Sequence, residues 1–458
     1  GGLGLGLWGV VGVGVLVFVF RLPPGNQPID AMLIILAVIT ASAAMQAAGG
    51  IDYLVSVAAR LIQRNPGRIT IIAPLVAFLF TIAAGTGNIY FALIPIIYEV
   101  AYENKIRPER PLAVASVASQ MGIVASPVSA AMAAMLTLVE PKGFSLVPIL
   151  VIVLPASLIA ILVASLVQMR IGKPLEADPE YRRRLAAGEI EPPVVEPVTE
   201  PPTGGSQLIA PATGGSPAPG AAATAAAPQP GRKLIADLPR EAKLSALFFL
   251  VGVTIIVLMG IFPELRPAFP DSKGKSVPLG MTTVIQLIMF AVATAIVIFA
   301  KAKPAQIVKM PLLIAGVTSL IALFGLAWLA DTFIAANTGA IVSLLGNLVD
   351  RAPIAFALAL FAVAALTTSQ SGATRAIVPI GIALGLPAQF LVAMWPAVIG
   401  IYFFPANGSQ IAAIGIDQTG TTRIGKYVVN HSFQLPTLIC WVVAVLVGLL
   451  IAGVLHGF

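Results

Sequence analysis

The sequence predicts an all-α integral membrane protein built as two inverted repeats, each with a re-entrant hairpin and a broken transmembrane helix. Three observations predict it. The 458 residues are 58% apolar and only 10% charged, against about 25% charged residues in a soluble domain. Apolar stretches of transmembrane length recur, and in each half two of them are too long for one helix and are cut by small polar residues. Arginine and lysine gather in alternate connections.

Single spans are expected at about 4–20, 31–48, 145–168, 243–262, 279–300, 311–335 and 428–456. At ~1.5 Å per residue these lengths suit a hydrocarbon core about 30 Å thick. In the first half, residues 69–103 are interrupted by Gly85-Thr86-Gly87-Asn88, and residues 112–140 by Ser126-Pro127-Val128-Ser129. In the second half, residues 352–385 are interrupted by Ser369-Gln370-Ser371-Gly372-Ala373-Thr374, and residues 387–416 by Pro405-Ala406-Asn407-Gly408-Ser409. Between the halves, residues 174–240 are rich in Pro, Ala, Gly, Thr and Glu, with Pro217-Ala218-Pro219-Gly220 at the centre. Such a composition cannot bury enough apolar surface to fold, which predicts a disordered cytoplasmic linker. The expected division is a first transmembrane repeat over 1–173, the linker over 174–240 and a second, inverted repeat over 241–458.

The basic residues set the orientation. If 50–68, 104–111, 170–243, 301–310 and 417–427 face the cytoplasm, most of the 27 basic residues lie inside, as the positive-inside rule requires. Arg21, Lys142, Arg266, Lys273, Lys275 and Arg351 then lie outside, and Arg375 alone falls within an apolar stretch. Residues 69–103 must start and finish inside, and 352–385 must start and finish outside, so each is expected to dip in and return. The second half has three helices before its hairpin and the first only two. Inverted symmetry therefore leads us to expect one further helix ahead of Gly1, with both natural termini periplasmic.

One cysteine, Cys440, and two histidines, His431 and His456, leave no disulfide framework and no thiolate or His-based metal cluster. No cofactor is expected, and an enzyme would need a nucleophile, base or metal cluster that these residues do not supply. The net charge of +7 reflects cytoplasmic loops rather than nucleic-acid binding. Inverted repeats with discontinuous helices near the midplane mark secondary transporters.

Irregular backbone at membrane depth persists only where it is buried in protein or lines a wet cavity. The free amides of broken helices suit a carboxylate. The expected substrate-binding set is therefore Gly85, Thr86, Gly87, Asn88, Ser126, Pro127, Ser129, Ser369, Gln370, Ser371, Thr374, Arg375, Asn407 and Ser409, around a small anion. Packing accounts for any one such motif alone, but less readily for four in repeat-related positions. Arg375 is expected to meet a substrate carboxylate, the alternative being a side chain snorkelling to the outer surface. Asp331 reads as an interfacial residue near a helix end, with a proton or cation carrier as the alternative. His431 reads as a capping or interface residue, and Gln46 and Gln120 as bonds between neighbouring helices.

Several strings are similar to the anaerobic C4-dicarboxylate transporter (Dcu) family of the ion-transporter superfamily. They are Ile106-Arg107-Pro108-Glu109-Arg110-Pro111, the run from Gln120 to Ser129, Gly420-Thr421-Thr422-Arg423-Ile424-Gly425-Lys426 and Asn430-His431-Ser432-Phe433. The segments at Gly85-Thr86-Gly87 and Gln46-Ala47-Ala48-Gly49-Gly50 match as well. The resemblance implies uptake or exchange of fumarate, succinate, malate and aspartate across the bacterial inner membrane, with coupling to H⁺ or Na⁺ left open. It also implies a homodimer in which a substrate-holding domain moves past a dimeric scaffold. The sequence departs from the family in a longer, Pro- and Ala-rich central loop. It departs again at Pro405-Ala406-Asn407-Gly408-Ser409, where relatives tend to carry an aromatic residue. A transporter for another carboxylate, or an anion channel, is the alternative.

Overall fold

A computed structural model describes residues 2–193, 238–270, 275–351, 354–425 and 430–456. In the first half the chain forms α1 (Gly2–Gly14, continued by a π-helical turn to Val19), α2 (Ile29–Ala47), α3 (Gly50–Gln63), α4 (Ile69–Ala84), α5 (Ile89–Glu103), α6 (Glu109–Val124), α7 (Ala130–Val139) and α8 (Leu146–Gln168). A short α9 (Pro179–Ala186) follows. The second half forms α10 (Arg240–Ile261), α11 (Met281–Phe299), α12 (Pro304–Ile307), α13 (Pro311–Arg351), α14 (Ala355–Thr367), α15 (Gln370–Ala383), α16 (Ala388–Met394), α17 (Gly408–Ile416) and α18 (Gln434–His456). Two three-residue strands, β1 (Ala268–Pro270) and β2 (Ser276–Pro278), pair between α10 and α11.

Among the described residues six helical segments are long and apolar enough to cross a membrane: Ile29–Ala47, Pro66–Ala84, Leu146–Gln168, Arg240–Ile261, Met281–Phe299 and Gln434–Leu455. Their outward faces carry Leu154, Leu166, Leu247, Leu287, Leu446 and Leu450 exposed, as lipid rather than water would favour. The protein is an all-α membrane protein. By length alone, Pro66–Ala84 suffices for a crossing, so the first arm of the α4–α5 pair owes nothing of its path to being short.

Each expected interruption marks a break, although Gln370–Thr374 and Gly408–Ser409, expected within the interruptions, are the first residues of α15 and α17, and local chemistry explains each break. α4 stops because Gly85 takes φ +69°, a left-handed conformation that costs a residue with a Cβ about 1–2 kcal/mol. α6 stops before Pro127, and the Ser129 hydroxyl caps α7 by accepting from the Met132 amide at 3.0 Å. α14 ends at Thr368, with φ +51°, and the Ser369 hydroxyl caps α15. After α16 a 3-10 segment (Trp395–Tyr402) leads to Pro405, and Asn407 opens α17 with a reciprocal capping box to Gln410. α4 packs on α6, α14 on the 3-10 segment, and α8 on α18. α1 crosses α13 where Gly9 meets the backbone of Gly325, an approach a larger residue would block.

The structure corrects the sequence reading in three places. The span expected at 311–335 is one helix of 41 residues to Arg351, because no proline interrupts the chain from Leu312 to Ala352; Asp331 is therefore mid-helix, not near an end. The connection 50–68 contains α3, whose buried Leu54, Val55, Ala58 and Ile62 share one face while Arg60 and Arg64 lie exposed on the other. A hydropathy scan passes over such a helix because it averages the two faces. The linker, expected disordered over 174–240, is folded at its start. There Asp178 caps α9 with bonds to the Glu180 and Tyr181 amides, and Leu175, Tyr181 and Ile190 form a small apolar cluster. Averaging composition over the whole segment hid this ordered beginning. Residues 194–237 lie outside the described residues, as do 428 and 429 at the start of the span expected at 428–456.

Candidate functional site

The α4–α5 tip rests on the α6–α7 break. The Ser126 hydroxyl donates to the Ile82 carbonyl at 2.8 Å and the Ser129 hydroxyl to the Ile123 carbonyl at 2.6 Å. A Cβ on Gly85 would lie 2.7 Å from the Val128 carbonyl oxygen, so the tip seats there only as glycine. The second half is tied to the first at this level, where the Gln370 side-chain amide donates to the Gln120 carbonyl at 3.0 Å. Trp395 Nε1 donates to Thr374 at 2.8 Å, fixing α15 against the 3-10 segment. Tyr402 and Ser409 share a short hydroxyl bond, and Ser409 also donates to Asn407 Oδ1 at 2.9 Å.

These contacts surround a cavity of about 430 Å³, within the size range of small-molecule sites. Asn88 stands at the start of α5, Ala130 and Ala131 open α7, Gln370 and Ser371 open α15, and Asn407 and Gly408 open α17. Four helix N-termini therefore face one space. The first-turn amides of a helix have no partner within it, and their partial positive charge favours an anion. The far wall comes from α2 (Ile35, Val38, Ile39, Ser42) and the first turns of α13 (Leu312, Gly316). Among the described residues no basic side chain lines the cavity.

Of the residues expected to bind substrate, Gly85, Thr86, Gly87, Asn88, Ser369, Gln370, Ser371 and Asn407 line this cavity together. Ser126, Pro127, Ser129, Thr374 and Ser409 do not; the four hydroxyl residues among them cap or brace helix ends. Arg375 is placed elsewhere. It lines a second cavity, of about 200 Å³, with Asp30, Thr137, Asp331 and Pro379. Gln120, read from sequence as an interhelical bond, accepts from Gln370 only through its main-chain carbonyl, while its side chain lines the central cavity with the amide beneath Gly87. Its signal was a lone amide one turn before a helix break. Gln46 accepts from the Leu312 amide at 3.3 Å, and His431 Nε2 is 2.9 Å from the Phe403 carbonyl, bracing the approach to α17.

The anaerobic C4-dicarboxylate membrane transporter family model matches residues 1–456. This chain belongs to that family. The chain is similar to the anaerobic C4-dicarboxylate transporter DcuB of Escherichia coli O6:H1, 37% identical over 463 residues covering 100% of this chain and 95% of the relative. It is 37% identical over 455 residues to the C4-dicarboxylate transporter DcuA of Escherichia coli K12, covering 99% of this chain and 95% of that protein. The DcuA of Wolinella succinogenes is 34% identical over 461 residues, with 99% and 95% covered.

As a member of the C4-dicarboxylate transporter family the chain is a membrane transporter and not an enzyme, and the strings that resembled the family meet in space. Those at Gly85–Gly87 and Gln120–Ser129 build the central cavity. Those beginning at Ile106, at Gly420 and at Asn430 meet at Glu109, whose amide donates to Thr421 at 3.3 Å and whose carboxylate accepts from Ser432 at 2.6 Å. Arg107 Nε donates to Glu109 at 2.6 Å and Nη1 to Asp178 at 2.5 Å, all three being buried. Desolvation alone would raise the Asp178 carboxyl, but bonding to Arg107 and to the α9 amides holds it below the usual carboxylate range. In Arg107 desolvation is likewise outweighed by its two acids, which push the guanidinium up.

Proposed function

We propose that this transporter carries C4-dicarboxylates such as fumarate, succinate, malate and aspartate by secondary transport across the bacterial inner membrane. The anion is held in the central cavity by four helix N-termini and the polar groups of Thr86, Asn88, Gln120, Ser369, Gln370, Ser371 and Asn407. The observation that carries this reading is the convergence of those helix ends on one cavity that no basic side chain lines among the described residues. An exposed or partly buried helix end contributes about 0.3–1 kcal/mol toward an anion. Four of them, with hydrogen bonds at about 0.5–1.5 kcal/mol each, suit the millimolar to micromolar affinity of about 4–8 kcal/mol that lets a carrier release its load.

The reading includes two inverted repeats whose helix pairs α4–α5 and α14–α15 are re-entrant, with the linker cytoplasmic and the C-terminal end of α18 periplasmic. Its support is the like plan of the halves, a helix–break–helix pair followed by a broken helix and one intact helix, together with the basic connections. A homodimer whose substrate-holding part moves past the scaffold follows by analogy with the superfamily. On this orientation the cavity wall at Leu312 and Gly316 lies toward the cytoplasmic end of α13. The test is counterflow in proteoliposomes. External succinate should accelerate efflux of labelled fumarate, and H⁺ or Na⁺ gradients applied in turn identify any coupled ion. Efflux indifferent to external dicarboxylate would mean a channel, and acceleration by citrate or monocarboxylates alone would mean another substrate.

A further inference from the structure

The cavity around Arg375 lies along the same wall as the central one. Along α2 the central cavity touches residues 35–42 and the second touches 29–31 together with 26–28 just before the helix; on α13 they touch 312 and 316, then 327 and 331. On α15, Gln370 and Ser371 face the first and Arg375 and Pro379 the second. Five residues of helix separate Gln370 from Arg375, about 7.5 Å along the axis. The second cavity is thus displaced toward the N-terminal end of α2, the end that the basic residues assign to the outside.

Arg375 is 6% exposed and its Nε has no hydrogen-bond partner, while Nη2 reaches only Thr137 Oγ1 at 3.4 Å. Among the described residues it makes no ion pair. Burying a cation without a partner is unfavourable, and a visiting anion would offset that cost. The acids nearby are otherwise disposed. Asp331 accepts from the Asn26 amide at 2.5 Å, in a seam where Thr332 accepts from Gly25 and Trp328 donates to it. Asp30 is exposed in the first turn of α2. Their charges oppose a second carboxylate, so this site suits one end of a dicarboxylate with the other end left in water.

We propose that the Arg375 cavity is a second, outer anion site that takes one carboxylate of the substrate before it reaches the central cavity. The inference rests on the dicarboxylate reading and adds a station to it. Its test is protection from labelling. The native thiol, Cys440, is buried, so Gln27→Cys, at an exposed position lining the outer cavity, reports that site to an impermeant maleimide added outside right-side-out vesicles. Succinate should slow labelling at least threefold. Protection should vanish in Arg375→Gln, persist in part in Arg375→Lys, and survive Asn407→Ala, which weakens the central cavity. Full protection in Arg375→Gln, no protection with Arg375 present, or loss of protection in Asn407→Ala alone would each overturn the second site. Thermal unfolding of each variant shows that it is folded. Counterflow in the parent separately tests the transport reading, so its failure is distinguishable from failure of the outer site.

Discussion

Two neighbouring glycines in the α4–α5 tip should fail in opposite ways when changed to alanine. Gly85 has φ +69°, and an added Cβ would sit 2.7 Å from the Val128 carbonyl oxygen, which is backbone and cannot swing aside. Gly85→Ala should therefore cost about 1–2 kcal/mol for the left-handed conformation alone, and more for moving the α6–α7 break. Gly87 is not in that region, and its added Cβ would meet only the terminal amide of Gln120, the movable end of a side chain. Gly87→Ala should leave the fold intact and turn the Gln120 amide out of the cavity. Losing one hydrogen bond to the ligand costs about 0.5–1.5 kcal/mol, a roughly two- to thirteenfold rise in the dissociation constant. Thermal unfolding in detergent and succinate binding by titration calorimetry separate the two effects. Unchanged binding in Gly87→Ala would remove Gln120 from the site, and an unchanged unfolding midpoint in Gly85→Ala would refute the packing of tip on break.

Removing one partner of the buried Arg107–Asp178 pair, as in Asp178→Asn, should cost about 3–5 kcal/mol and loosen residues 175–190. Hydrogen exchange reads this directly, and exchange equal to the parent would refute it. Because the Asp178 carboxyl is held below its ordinary value, its contribution is complete above the ordinary carboxylate pKa. It is lost as pH falls through the depressed value, so protection in the parent should fade only in acid. Deleting about thirty residues between 194 and 237 should leave transport unchanged, since loop-closure cost varies slowly with length; lost uptake at equal membrane abundance would show a further role. Thr86→Cys should react with an impermeant thiol reagent from the cytoplasmic side only, and labelling from outside would show that the α4–α5 pair crosses the membrane.

The sequence by itself determined that this chain lives in lipid, where its helices break and which chemistry sits at the breaks. Hydropathy, Gly and Pro positions and capping residues are local properties, and a helix break falls at or beside each interruption named from sequence. It also determined the family, through strings at Ile106–Pro111, Gln120–Ser129 and Gly420–Phe433. Averages misled where order was short or two-faced: α3 is too amphipathic for a hydropathy window, and Asp178 folds the start of a segment whose composition reads as linker. The tertiary structure decided which polar residues share a space. Ser126 and Ser129 spend their hydroxyls on the carbonyls of Ile82 and Ile123, while Gln120 turns its amide inward. Only packing, which sets where a side chain points, could separate them. Packing also put Arg375 in a different cavity from Gln370, although five residues separate them in the chain, because side chains that far apart on a helix look out in different directions and at different heights.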